Sequence, residues 1–206
     1  MKKVIIFLSI LFLTGCNLRT DYNSIDNLEY EVNKIINYEV KSRNTYGNGF
    51  SYYKPRDFSV LSSDGFNSVL VHNSNKYYLN VDANAYLNKF KSNYIKDDSL
   101  YYSLVINNND KNGYVEIRKG KNDYFYIKML YNYSYIEVLA LKNEVYDAVS
   151  SSLVILSSMK YNDKVISALL NGNLTSGKSS SYELKGPKKS EDSKSILDYY
   201  DNEVSE

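Results

Sequence analysis

The chain offers few places where side chains of the right kind stand at the right spacing for chemistry. Gly172-Asn173-Leu174-Thr175-Ser176-Gly177-Lys178-Ser179 satisfies G-x-x-x-x-G-K-S, the loop that cradles phosphates. That loop works between a strand and a long helix, which aim backbone N–H groups at the anion. Here a helical pattern precedes it and a Ser-rich stretch with Gly186-Pro187 follows, so a linker is expected and nucleotide is not. Asn108-Asn109-Asp110-Lys111-Asn112-Gly113 places oxygen side chains at alternate positions with glycine sixth, as a calcium loop does. The first ligand would be Asn108, however, and the place of the bidentate Glu falls on Lys119, whose ammonium repels a cation. The same residues suit a hairpin turn between Ile106 and Val115, and no metal is assigned. His72 is the only histidine and falls in a strand pattern beside Tyr77, with no G-x-S-x-G elbow anywhere to serve it. Asp97-Asp98 reads as a solvated pair with no second acidic cluster to match. No catalytic residue and no cofactor follow from these patterns. A single cysteine makes no internal disulfide and no zinc cluster.

That cysteine carries the clearest signal. Met1-Lys2-Lys3 is a positive head, and Val4 to Leu13 is an apolar run too short to span a bilayer comfortably. The run closes on Leu13-Thr14-Gly15-Cys16, which resembles the bacterial lipobox. The resemblance implies cleavage before Cys16, a diacylglyceryl group on its thiol, and a mature protein held on the outer face of the cell membrane. Each buried methylene contributes ~0.8 kcal/mol, so two or three acyl chains hold far more firmly than one. With 25 Lys+Arg against 24 Asp+Glu over 206 residues, the chain shows no charge excess of the kind that nucleic acid requires. Removing residues 1–15 takes away Lys2 and Lys3 and no acid, leaving 23 basic side chains against 24 acidic ones. By net charge, nothing pulls the mature domain onto anionic lipid.

The elements follow from periodicity. Ile25, Leu28, Val32, Ile35, Ile36 and Val40 recur at steps of three and four, an amphipathic helix with Asp21, Asn23 or Ser24 as cap. Pro55 leads an extended stretch Phe58-Leu61 up to turn residues Ser62-Gly65. Val69-His72 and Tyr77-Val81 form a hairpin around Ser74-Asn75, in which Leu70 would face Leu79 and His72 would face Tyr77. Asp82 to Lys91 predicts a short helix with Ala83, Tyr86, Leu87 and Phe90 on one side. From Leu100 to Leu141 four strands form an antiparallel meander with one apolar face. The predicted partners are Met129–Ile136, Ile127–Val138 and Phe125–Ala140, with Lys128–Glu137 on the other face. Next come Ile117–Phe125 and Val115–Ile127 across Gly120-Lys121-Asn122, then Leu104–Ile117 and Ile106–Val115. Val145, Ala148, Val149, Ser152, Leu156 and Met159 form the helical stripe that covers them. A short helix spans Val165 to Leu170, and another is expected around Ile196, Leu197 and Tyr200. The fold class is therefore α+β: an antiparallel sheet, built from a hairpin and a four-strand meander, covered by helices. The expected division is signal peptide 1–15, tether 16–21, domain 22–171 and tail 172–206.

The 23 tyrosines alternate along these strands, so each neighbouring pair sends one ring inward and one outward. Tyr78, Tyr102, Tyr124 and Tyr126 are the candidate outward set, a phenolic patch able to grip an envelope protein or a glycan. Tyrosine also fills strands simply because its β-propensity is high, and AT-rich codons favour it together with Asn, Lys and Ile.

Three segments carry a wider resemblance: Tyr53-Lys54-Pro55-Arg56-Asp57-Phe58, Lys76-Tyr77-Tyr78-Leu79-Asn80-Val81-Asp82, and Ile155-Leu156-Ser157-Ser158-Met159. Together with the meander they look like a group of uncharacterised lipoproteins from AT-rich Gram-positive and wall-less bacteria. Their layout is similar to the PsbP/Mog1-like sandwich, over roughly residues 22–171. The resemblance implies a non-enzymatic binding or assembly module of the cell envelope. The competing expectation is an envelope hydrolase or a small-solute-binding lipoprotein.

Overall fold

The computed structural model describes residues 25–38 and 42–172. A 3-10 turn, Ile25–Asn27, opens into α1, Leu28–Asn37, whose Leu28, Val32 and Ile35 are buried one turn apart. The three cap residues expected for this helix, and Val40, lie outside the described residues, as do Cys16 and the C-terminal helix expected around Ile196. Two short strands follow, β1 (Thr45–Tyr46) and β2 (Phe50–Tyr52), and then β3 (Ser59–Asp64), β4 (Asn67–His72) and β5 (Asn75–Val81). After α2 (Ala83–Asn88) come β6 (Tyr102–Asn108), β7 (Lys111–Lys119), β8 (Tyr124–Tyr131) and β9 (Ser134–Leu141). The order ends with α3 (Val145–Ser157), β10 (Lys160–Tyr161) and α4 (Asp163–Leu170).

Seven strands form one antiparallel sheet in the order β3-β4-β5-β9-β8-β7-β6, so the hairpin joins the meander through β5 and β9. One face is mainly apolar: Leu79, Ile127, Met129, Ile136, Val138 and Ala140 are essentially without solvent contact, and Ser68, His72 and Ser134 are buried among them. α3 lies across β8 and β9 on that face, and α1 lies beside α3 and against β6. Val145, Ala148, Val149, Ser152 and Leu156 are all buried, which is the predicted stripe, and Leu153 and Ile155 join them. The α+β arrangement read from periodicity is thus the fold.

The register holds in one hairpin and slips in three. Met129–Ile136, Ile127–Val138, Phe125–Ala140 and Lys128–Glu137 pair across Asn132-Tyr133 as predicted. Elsewhere Leu70 meets Tyr77 and His72 meets Asn75, Ile117 meets Ile127, Val115 meets Met129, Leu104 meets Val115, and Ile106 meets Gly113. Each is two residues from the expected partner. A slip of two leaves every side chain on its own face, so matching apolar residues cannot detect it. The turns decide instead. Asn73 and Ser74 take φ of 47° and 66°, the left-handed pair that a tight two-residue hairpin needs, and the loop after β7 places Asn122 and Asp123 there. Ser62 to Asp64, expected as turn, continue β3, and the reversal waits for Gly65 and Phe66.

A second sheet of three strands, β1-β2-β10, had no counterpart in the sequence reading. It pairs Phe50 with Tyr161 and Ser51 with Lys160, and sets Phe50 and Tyr52 in the core. Ser158 fastens it at the end of α3: its Oγ accepts from the Tyr53 N–H at 2.8 Å, and its carbonyl accepts from Arg43 Nε at 2.9 Å.

α2 is shorter than expected. Asp82 caps it by accepting from the Ala85 N–H at 2.8 Å, and Lys89 ends it in the left-handed conformation. Phe90, predicted on its buried side, lies beyond that end and is 64% exposed. Residues 89–101 then run as an irregular strap to β6. Asn112 Nδ2 donates to the Ser92 carbonyl at 2.9 Å, the Tyr94 ring stacks on Tyr114 with centroids 4.2 Å apart, and the Tyr94 hydroxyl meets Ser103 Oγ at 2.8 Å. Tyr114 and Ser103 alternate with the inward residues Val115 and Leu104, so the strap crosses the sheet face opposite the helices.

Candidate functional site

That opposite face, over β5, β9 and β8, is where the tyrosine patch was expected. In register across it run Val69, Tyr78, Glu137, Lys128 and Glu116, one residue per strand. Lys128 Nζ meets Glu137 Oε1 at 3.1 Å and stands 5.8 Å from the centre of the Tyr135 ring. Burial pushes the Tyr135 hydroxyl up to about 12, with Glu137 and Asp82 adding to it. Tyr78 is the tyrosine of this row, and it is 40% exposed. Tyr124 is half-buried and pairs with the exposed Leu141.

Two of the four expected residues do not present a ring to a partner. Tyr102 pairs with Ile117 and points to the helices, because Leu104 and Ile106 on the same strand do so and parity fixes the rest. Burial raises its hydroxyl to about 12, with Glu29 of α1 contributing. Tyr126 is on the open face but is only 4% exposed, packed in register between Arg118 and Leu139. Tyr78 and Tyr124 therefore remain as the outward pair. Tyr135 belongs beside them, and alternation alone does not single it out from the run of tyrosines around it.

His72 forms the other concentration of polar groups. It is 8% exposed, with Nε2 3.2 Å from Asp147 Oδ2 and Nδ1 3.3 Å from Asp57 Oδ2. Its ring lies flat on Phe58, centroids 4.6 Å apart and planes 13° apart. Tyr77 stands at 6.5 Å, and burial followed by Asp147, Glu144 and Asp57 drives its hydroxyl far above the usual phenol range. Asn75 next to it donates to Glu144 at 3.0 Å. Both ring nitrogens are thus engaged by carboxylates, and the arrangement ties the segment before β3 to the first turn of α3. It is a clasp, with neither nitrogen directed at a hydroxyl nucleophile. The partners lie 15 and 75 positions away in sequence, so local spacing gave no hint of them.

The remaining patterns fall out in the same way. Asn109 and Asp110 make the β6–β7 turn, and Gly113, the supposed turn glycine of a calcium loop, is a strand residue opposite Tyr131. Among the described residues no group of three His, Cys, Asp or Glu side chains is placed to hold a metal ion. Asp97 is held below the usual carboxylate range by hydrogen bonds from the Ser99 hydroxyl and N–H, and Asp98 pairs with Lys96 at 3.0 Å. Gly172 ends α4 with φ of 69°, and the rest of the phosphate-loop pattern lies outside the described residues. A helix leads into it where a strand is needed.

The chain matches no known family model and no curated protein. Among the described residues no helix is long and apolar enough to cross a membrane.

Proposed function

We propose that this chain is a lipid-anchored lipoprotein on the outer face of the cell membrane, serving as a non-enzymatic binding or assembly module of the envelope. One observation carries the reading: a charged head, an uncharged apolar run and Leu13-Thr14-Gly15-Cys16 occur together and in that order. Cys16 receives the acyl chains, and a short tether leads from it to the domain. The contact surface is the helix-free sheet face around Tyr78, where large rings with polar tips stand among paired charges. A protein or glycan of the envelope is the partner that suits it. The PsbP/Mog1-like resemblance agrees with such a role.

A photo-crosslinking residue at Tyr78, in cells that carry the anchored protein, tests the reading. Discrete adducts in the membrane fraction are expected, and they should be absent when the probe is moved to Leu61 on the outer strand β3. Equal, diffuse labelling from both positions would contradict the assignment of this face.

A further inference from the structure

The strap between α2 and β6 holds the largest unexplained exposure of apolar side chains in the described chain. Ile95 is 83% exposed and Phe90 64% exposed, with Tyr101 at 45% where the strap ends. This segment is irregular yet fastened. Ser92, Tyr94 and Asp97 are each hydrogen-bonded to β6 or β7, Tyr94 through its stacked ring as well. With Tyr94 turned into the sheet, its neighbour Ile95 is turned out. The Phe90 N–H is bonded to the Ala85 carbonyl at 2.9 Å, which fixes the other end.

The charges interleaved with Phe90 and Ile95 are positive: Lys89, Lys91 and Lys96 stand between residues 89 and 96, and Asp97 and Asp98 follow them before Tyr101. Lys89 is held with its Nζ 3.9 Å over the Tyr86 ring, and Lys96 is tied to Asp98. The near-zero net charge of the mature chain conceals this local surplus. Lysines alternating with Phe and Ile at the surface are the composition that settles into the headgroup layer of an anionic bilayer, where the rings and aliphatic groups enter the acyl boundary.

The chain's own attachment places the strap there. Asn108 Nδ2 donates to the Ile36 carbonyl at 3.0 Å, while Glu29 acts on Tyr102, so α1 runs alongside β6 with its first turn by Tyr102, where the strap ends. The eight residues from 17 to 24 reach at most ~28 Å from Cys16, and β6 is about 20 Å long. The end of the strap at Tyr101 therefore lies beside the root of the tether, and the rest of the strap lies within the tether's reach. Tyr78 stands four strand spacings from β6, about 19 Å, clear of that edge strand.

We infer that residues 89–96 form a second membrane contact, in which Phe90 and Ile95 enter the interface of an anionic phospholipid bilayer and Lys89, Lys91 and Lys96 bind its headgroups. The inference rests on the lipid anchor at Cys16, which brings the strap to the membrane.

The chain contains no tryptophan, so single reporters can be read without background. Acylated full-length protein carrying Phe90→Trp, Ile95→Trp or the control Leu61→Trp is reconstituted into vesicles of phosphatidylethanolamine and phosphatidylglycerol. Acyl-brominated lipids serve as quenchers. Emission from positions 90 and 95 is expected to shift to the blue and to be quenched, while Leu61→Trp does neither. Replacing Lys89, Lys91 and Lys96 by Gln should lower the ratio of buried to solvated reporter by about ten- to a hundredfold, since each lysine near an anionic surface is worth ~1 kcal/mol. Reporters at 90 and 95 that behave like the one at 61, in protein that floats with the vesicles, overturn the inference and leave the anchor standing. A shift seen only in native membranes, and not in protein-free vesicles, also overturns it, in favour of a protein partner. Protein from which no acyl group can be recovered, and which does not float, fails the anchor itself.

Discussion

Gly113 shows how much a single position can demand. A Cβ built there would lie 1.9 Å from the Leu130 carbonyl oxygen, so the neighbouring backbone of β8 closes on β7 at a distance only glycine allows. Gly113→Ala should cost at least about 1–3 kcal/mol, read as a lower urea midpoint. His72 gives a graded test of the clasp. His72→Ala removes the ring stacked on Phe58 and should cost about 1–3 kcal/mol. His72→Phe keeps the stack and loses the ring's polar contacts, those to the Asp57 and Asp147 carboxylates, which are 62% and 57% exposed and stay solvated, and to Asn73 Nδ2 at 3.0 Å, so its cost should fall below that of His72→Ala. Equal losses in the two variants would mean that the carboxylates, and not the packed ring, hold this corner.

At the scale of elements the turns are the sensitive points. Ser74 is exposed and holds φ of 66° in the two-residue turn between β4 and β5, a conformation that costs a non-glycine residue roughly 1 kcal/mol. Ser74→Gly sets a glycine directly after Asn73, the Asn-Gly order best suited to such a turn, and should raise the urea midpoint without changing its slope. This turn is also where sequence reasoning lost its footing. Alternation told which residues of β4 to β9 face the helices, and the stripe on α3 told what covers them, because both are set by burial at fixed periods. Alternation is blind to a shift of two, and three of the four hairpins slipped by that amount. β10 is two residues long and carries no period at all, so the small sheet had no signature. Phe90 fitted the helical spacing of α2 and lay outside it, since the left-handed Lys89 ends the helix first. Tyr102, expected on the open face, shares the parity of Leu104 and so faces the helices. The clasp at His72 was invisible because its acids arrive from distant parts of the chain.

For the whole molecule, the tyrosines set the response to alkali. Burial raises the hydroxyls of Tyr86, Tyr102 and Tyr135 from the ordinary 10.0 to about 12, and those of Tyr77, Tyr114 and Tyr161 further. The neutral form is favoured in the fold, so this contribution to stability is intact below pH 10.0 and is lost as pH rises through about 12. Ultraviolet titration of the folded protein should show the phenols of Tyr86, Tyr102 and Tyr135 ionising late, near pH 12, together with unfolding.

The proposed role depends on attachment at Cys16. The direct measurement is metabolic labelling with radioactive palmitate of cells expressing the parent chain or Cys16→Ala, followed by membrane fractionation. Label on the parent alone, with the variant lost from the acylated membrane pool, is the predicted result. Identical labelling and identical fractionation of the two chains would contradict it.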